Sequence, residues 1–216
     1  MDFLEGTLKH YEWGSNSDLA NFRGFQPSGR PEAELWFDSK ETDPWLIKVL
    51  AVETPLSLQV HPNSIEAVTG FEYENSIGIS IGSSERLFKD AKAKPEFVCA
   101  LTPFITFGGF KEFDEIIRTV SSLEMPKDLI SVLKEEGIRS VPEVFRQIIE
   151  GRWIDHCESL LDSCISRKGL NISNSFASAL VGINDLYPRD PALMILPFLQ
   201  LHCMQPGDGL YIGTGT

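Results

Sequence analysis

The chain has 216 residues, 42% of them hydrophobic, enough to bury the core of one large domain or of one domain with an insertion. Its 31 acidic against 19 basic residues give a formal charge of -12, which argues against nucleic acid or an anionic membrane as partner, because both are bound through clustered Lys and Arg. No run of 18 apolar residues occurs, and the start MDFLEGTLKHYEWG lacks the basic and apolar regions of a signal peptide, so a soluble cytoplasmic protein is expected.

Residues 1–45 mix short apolar runs with turn residues. Ala33-Glu34-Leu35-Trp36-Phe37 is a short β-prone run bearing one carboxylate, Glu34, which suits a pocket or an ordinary surface. Leu46 to Val52, LIKVLAV, is apolar, free of glycine and too short for a core helix, and it reads as a buried strand. Pro55 interrupts it. In LSLQVHP, Leu56, Leu58 and Val60 alternate with Ser57, Gln59 and His61, so a strand would place Gln59 and His61 side by side on one face. Such a face suits a barrel wall whose polar side lines a pocket, and equally the half-exposed edge of any sheet.

Asn63 followed by Glu66 has the spacing of a capping box at a helix start. Asn75 to Ser84, rich in Gly and Ser, reads as a loop. Lys94-Pro95-Glu96 leads into Phe97–Leu101, a second buried strand; Phe104 to Phe107 continues the sheet, and Gly108 and Gly109 close it. From Glu112 the period changes. Phe113, Ile116, Ile117 and Val120, then Leu129, Val132 and Leu133, recur at helical spacing. Ser140 with Glu143 predicts another capped helix, running on as a helix or helix pair to near Gly169, and a last helix spans about Ser173 to Leu186. Strands are expected again over Ala192–Cys203 and Leu210–Ile212 around a Gln205–Gly209 turn. The helices thus look inserted into one β domain. Cys99, Cys157, Cys164 and Cys203 have no metal-binding spacing and read as reduced thiols, with Cys157 and Cys164 as small core residues. A small anionic substrate fits this acidic chain, since a few cations in a cleft override the average field locally.

The ordered segments LIKVLAVETPLSLQVHPN, KPEFVCALTPF, GGFK, YPRD and QPGDGLYIG closely resemble those of type I phosphomannose isomerases, and HYEWGS and PEAELW resemble that family's N-terminal segments. The resemblance implies a mainly β fold with inserted α: a cupin-type jelly roll over residues 1–111, a helical domain over 112–190, and return strands over 191–216. It implies interconversion of mannose 6-phosphate and fructose 6-phosphate by proton transfer through an enediol, with one zinc ion. Position by position, Gln59, His61 and Glu96 match zinc ligands, of which glutamine is the weaker kind. Lys94 and Glu34 match catalytic positions, and Trp13, Lys48, Ser57 and Lys94 match substrate-binding positions. A partly buried structural ion pair is the other reading of Lys48.

There are departures. Ala91-Lys92-Ala93 stands where the family carries histidine or asparagine-histidine before KPE, and Phe37-Asp38-Ser39-Lys40 replaces the family's G-x-H-P. The family's last zinc histidine and a catalytic arginine match positions beyond Thr216, so a fragment or truncated product is expected. The competing expectation is a non-catalytic cupin that binds a sugar phosphate or another subunit. A third, a different cupin metalloenzyme, fits less well, because the common cupin signature is H-x-H where this chain has Gln59-Val60-His61. The sequence does not decide between monomer and homodimer.

Overall fold

The computed structural model describes residues 5–38, 45–166 and 174–215, and the chain divides into two compact units, residues 1–58 and 59–216. Helical residues outnumber strand residues, so the balance is mixed α and antiparallel β rather than mainly β. No helix among the described residues is long and apolar enough to cross a membrane.

The first unit holds β1 (Thr7–Lys9), a short helix α1 (Asp18–Arg23), β2 (Glu34–Asp38) and β3 (Leu46–Leu50), with the strands antiparallel in the order β1-β2-β3. Leu8, Leu35 and Val49 stand opposite one another and pack with Leu19 and Ala51 into a small core. By the period-two rule the other face carries Lys9, Glu34, Trp36 and Lys48. The strand expected over Leu46–Val52 forms, but it is not buried: Leu46, Ile47 and Leu50 are 43%, 56% and 45% exposed. Among the described residues β3 is the outer strand of its sheet, with a ladder neighbour on one side, and of its residues Val49 packs on the core.

The alternation over Leu56–His61 does not become a strand. Residues 55–63 carry no ladder, Leu56, Leu58 and Val60 are exposed, and Gln59 is exposed while His61 is buried. Alternation sets opposite faces only where a neighbouring strand holds the backbone extended.

In the second unit α2 (Ser64–Ser76) begins on the expected capping box: Asn63 Oδ1 accepts the amides of Ile65 and Glu66, and Glu66 Oε2 accepts the Asn63 amide. The loop expected from Asn75 therefore starts later. Two strands precede the helical block, β4 (Glu96–Cys99) and β5 (Phe104–Phe110). Two follow it, β6 (Leu199–Met204) and β7 (Gly209–Ile212). β4 pairs with β7 and β5 with β6, both antiparallel. Gly108 and Gly109 do not close β5. The strand runs through them with a register shift between Phe107 and Phe110, and Gly109 takes the left-handed conformation (φ 74°) that such a bulge favours.

Among the described residues five α-helices lie between: α3 (Phe113–Ser122), α4 (Lys127–Glu136), α5 (Val141–Ile149), α6 (Cys157–Ser166) and α7 (Asn174–Leu186). Their periodic residues form the main core, where Ile116, Val120, Leu129, Leu133, Leu180 and both Cys157 and Cys164 are 1% exposed or less. Ser140 does not cap α5. A 3-10 turn over Gly137–Ser140 already gives it helical dihedrals, and its hydroxyl donates back to the Gly137 carbonyl at 2.7 Å. The expected end of α6 near Gly169 lies outside the described residues. Ala192 to Phe198 is also not strand, because Pro191 and Pro197 open two 3-10 turns before β6 begins.

Candidate functional site

The predicted site residues fall into two groups, one in each unit. In the second unit, His61 lies two residues before the N-cap of α2, and Glu96 is the first residue of β4. The fold brings them together, with His61 Nε2 3.8 Å from Glu96 Oε2. The His61 side chain is 11% exposed and its Nδ1 is buried without a hydrogen-bond partner, while the Glu96 side chain is 49% exposed. The Gly215 amide donates to the His61 carbonyl at 2.6 Å, and Gly215 follows β7, whose Ile212 stands opposite Glu96. The backbone of His61 is thereby tied to the strand pair that carries Glu96.

These donors fit a zinc ion. At 3.8 Å the imidazole and carboxylate are too far apart for a hydrogen bond, yet two donors sharing one ion at roughly 2.0–2.2 Å each can stand up to about 4 Å apart. The ring nitrogen that faces Glu96 is Nε2; the buried nitrogen without a partner is Nδ1, the other nitrogen of the ring. Gln59 is exposed, and among the described residues no three His, Cys, Asp or Glu side chains gather around a common point. Lys94 is also exposed, its Nζ 3.7 Å from Asp90 Oδ2 one helical turn's spacing away in sequence.

In the first unit, Glu34 and Lys48 meet across β2 and β3 with Nζ 3.6 Å from Oε1. The Glu34 side chain is 9% exposed, and its Oε2 accepts the indole N–H of Trp36 at 2.6 Å. Lys48 Nζ lies 4.5 Å from the Trp36 ring centroid, and Lys9 Nζ lies 5.0 Å from it. The result is a carboxylate held by an indole that two ammonium groups flank, a charge arrangement suited to an anionic or polyhydroxylated ligand. Trp13 is half-buried and stacks on Tyr11 with centroids 5.7 Å apart, and its carbonyl accepts the amides of Glu53 and Thr54. Ser57 is exposed.

Sequence reading passed over Trp36, Lys9 and Asp90. Trp36 was within reach, since it stands two residues beyond Glu34 on a strand and must share its face. His202 lies on β6, where its Nε2 is 3.0 Å from the Gly108 carbonyl.

Residues 37–113 match the model of the phosphomannose isomerase type I catalytic domain, a span that holds Lys48, Ser57, Gln59, His61, Lys94 and Glu96. The mannose-6-phosphate isomerase of Escherichia coli is 28% identical across 98% of this chain and 64% of its own length. The human enzyme of that name is 27% identical over 78% of this chain and 42% of its own. Among solved structures, a phosphomannose isomerase variant from Salmonella typhimurium superposes with a TM-score of 0.84 at 25% identity, over 98% of this chain and 63% of that one. The mannose 6-phosphate isomerase of the same organism, bound to its substrate fructose 6-phosphate and to zinc, gives 0.81 at 24% identity, with the same coverage. The chain thus resembles mannose-6-phosphate isomerases along nearly its whole length, and it spans about 64% of the length of the bacterial relatives.

Proposed function

We propose that this chain acts as an aldose–ketose isomerase of the type I phosphomannose isomerase kind, interconverting mannose 6-phosphate and fructose 6-phosphate with one zinc ion. The observation that carries the reading is the His61–Glu96 pair: a buried imidazole whose Nε2 faces a half-exposed carboxylate distant in sequence, 3.8 Å away. Both lie within the span matched by the catalytic-domain model. Gln59, His61 and Glu96 would hold the metal. Bound there, zinc would polarise the sugar oxygen at the reacting end and offset the charge that builds on it.

The chain's own groups supply the rest. Isomerisation moves a proton from C2 to C1 of the aldose and a hydroxyl proton from O2 to O1, through an enediol, with no net redox change. Lys94 and Glu34 are the groups assigned to proton movement and to charge at the reacting oxygens. Lys48, Ser57 and Trp13 are assigned to holding the sugar phosphate, with the Lys48 ammonium as the natural partner of an anion. A jelly roll made from residues 1–111 and 191–216, with 112–190 inserted, is the architecture proposed for the pocket; the β4–β7 and β5–β6 pairs, which join strands from both sides of the helices, support it.

The test is a coupled assay of mannose 6-phosphate conversion by the 216-residue chain with zinc supplied. Zinc-dependent turnover that falls at least about a hundredfold in His61→Ala and Glu96→Ala is the expected result. A folded chain that binds mannose 6-phosphate but turns none over would overturn the catalytic assignment in favour of a sugar-phosphate-binding module.

A further inference from the structure

Between His61 and Glu96 the chain runs through α2 and then a connection, residues 77–95, with neither helix nor strand. A connection of that length leaves its far end free unless something ties it down. Here the tie is Arg86, whose side chain is fully buried. Its guanidinium donates to the carbonyls of Phe88 and Ile79 (both 2.7 Å) and Phe71 (3.2 Å), and to Asn75 Oδ1 (2.9 Å). It also lies over the Phe71 ring and pairs with Glu74 at 3.0 Å. Glu74 in turn accepts the amides of Leu87 (3.0 Å) and Phe88 (2.8 Å). Burial pushes the Glu74 carboxyl up, but those amides and Arg86 outweigh it and hold it below its usual range, as expected of a carboxylate ionised inside the clamp. The Phe88 ring lies so close to α2 that a Cβ on Gly70 would stand 2.5 Å from it.

The geometry points to Arg86, clamped with Glu74, as the positioning residue that keeps His61 and Glu96 at metal-ligand separation. This inference rests on the zinc site proposed above. Asn63 caps the first turn of α2 two residues beyond His61, and Arg86 fastens residues 86–88 to the last turns of the same helix. The clamp therefore ties the chain from His61 through α2 to Phe88, and residues 89–95 lead on from there to β4. The second route between the two ligands is the Gly215–His61 hydrogen bond and the β4–β7 ladder. Two routes close a ring around the pair. Glu96 is half exposed and little held by packing, so its placement depends on both routes. Groups that orient metal ligands from behind weaken metal binding by roughly 10–100-fold when removed.

The experiment titrates the chain with Co²⁺, reading its visible absorption, and with Zn²⁺ by competition against a chelator. The variants are Arg86→Met/Glu74→Met, Gly70→Ala, Phe198→Ala and His61→Ala. The double variant leaves neither charge buried alone, so it avoids the main cost of breaking such a pair. It is expected to keep its near-ultraviolet circular dichroism yet bind metal roughly 10–100-fold more weakly. Gly70→Ala, which pushes Phe88 off α2 while leaving both charges, is expected to weaken binding in the same direction by a smaller factor. Phe198→Ala, which costs stability in the helical core instead, should bind within about twofold of wild type below its unfolding temperature; a purely structural role for the clamp would make these variants alike. Double-variant binding within about twofold of wild type overturns the inference. Wild-type affinity unchanged by His61→Ala overturns the zinc site itself, and this inference with it.

Discussion

The capping box in front of α2 offers the sharpest quantitative test, because its contribution can be separated by three substitutions at one position. Asn63 Oδ1 accepts the amides of Ile65 at 2.9 Å and Glu66 at 3.0 Å, two donors that have no partner inside the helix. Asn63→Ala removes that acceptor, while the Glu66 side chain still reaches the backbone amide of residue 63. Loss of such a cap costs about 1 kcal/mol, within roughly 0.5–2. For a chain of this size that is a drop in Tm of about 2–4 °C. Asn63→Asp should leave stability near wild type, and Asn63→Gly should cost only about a few tenths of a kcal/mol, since a bare backbone lets water reach the same amides. Urea unfolding followed by circular dichroism, with a common m-value, resolves the series. The reasoning fails if Asp is as harmful as Ala, or if Ala and Gly are indistinguishable.

Phe198 is fully buried and meets Phe145 edge-on at 5.0 Å, so Phe198→Ala should cost about 3–5 kcal/mol. Calorimetry should then show a Tm lower by roughly 6–20 °C, and a drop of under about 3 °C would mean that the core reseals. Burial pushes the Lys111 ammonium below its ordinary value, with Glu115 pulling it partly back. Between the folded and unfolded values the unfolded chain holds a proton that the folded chain has released, so stability rises with pH there. Lys111→Met should flatten that alkaline rise in denaturation midpoints, and an unchanged slope would refute the assignment. Hydrogen bonds from Arg146 hold the Glu143 carboxyl at about 2. Its stabilising effect should therefore be complete above the unfolded carboxyl value and lost as pH falls through about 2. Carbon-13 NMR titration should find that midpoint, and Arg146→Ala should return it toward the ordinary carboxylate range.

What the sequence told reliably was local. Helical periodicity located α3 and α4 through Ile116, Val120, Leu129 and Leu133, all of them buried. The Asn63–Glu66 spacing gave a cap because each partner lies within one turn of the other. The same spacing at Ser140 misled, since the preceding 3-10 turn, set by residues before the motif, had already consumed its hydroxyl. Alternation over Leu56–His61 failed for the opposite reason: a strand depends on a neighbour that no local pattern reveals. Helical spacing placed Leu129 but no spacing could have set His61 against Glu96, which depends on the packing of everything between them; the ordered motifs of a family supplied that pairing as an expectation. Arg86 stayed invisible because most of its partners are backbone carbonyls, which leave no mark in the side-chain sequence.

The strand pairs that flank the helices set an order of events in folding. His202 and Gly108 are joined by a hydrogen bond although 94 residues separate them. Bringing such ends together from a disordered chain costs loop-closure entropy before any contact rewards it, and pairings of this kind are slow. Yet the Phe198 carbonyl accepts the Lys111 amide at 2.9 Å, and the Lys111 ammonium donates to the Pro197 carbonyl at 3.1 Å, so the two ends of the helical block emerge side by side. A helical block that condenses first delivers β5 and β6 to each other as if joined by a short turn. The rate at which the sheets zip is then governed by the helices, and mutations in their core should slow strand formation in residues they never touch.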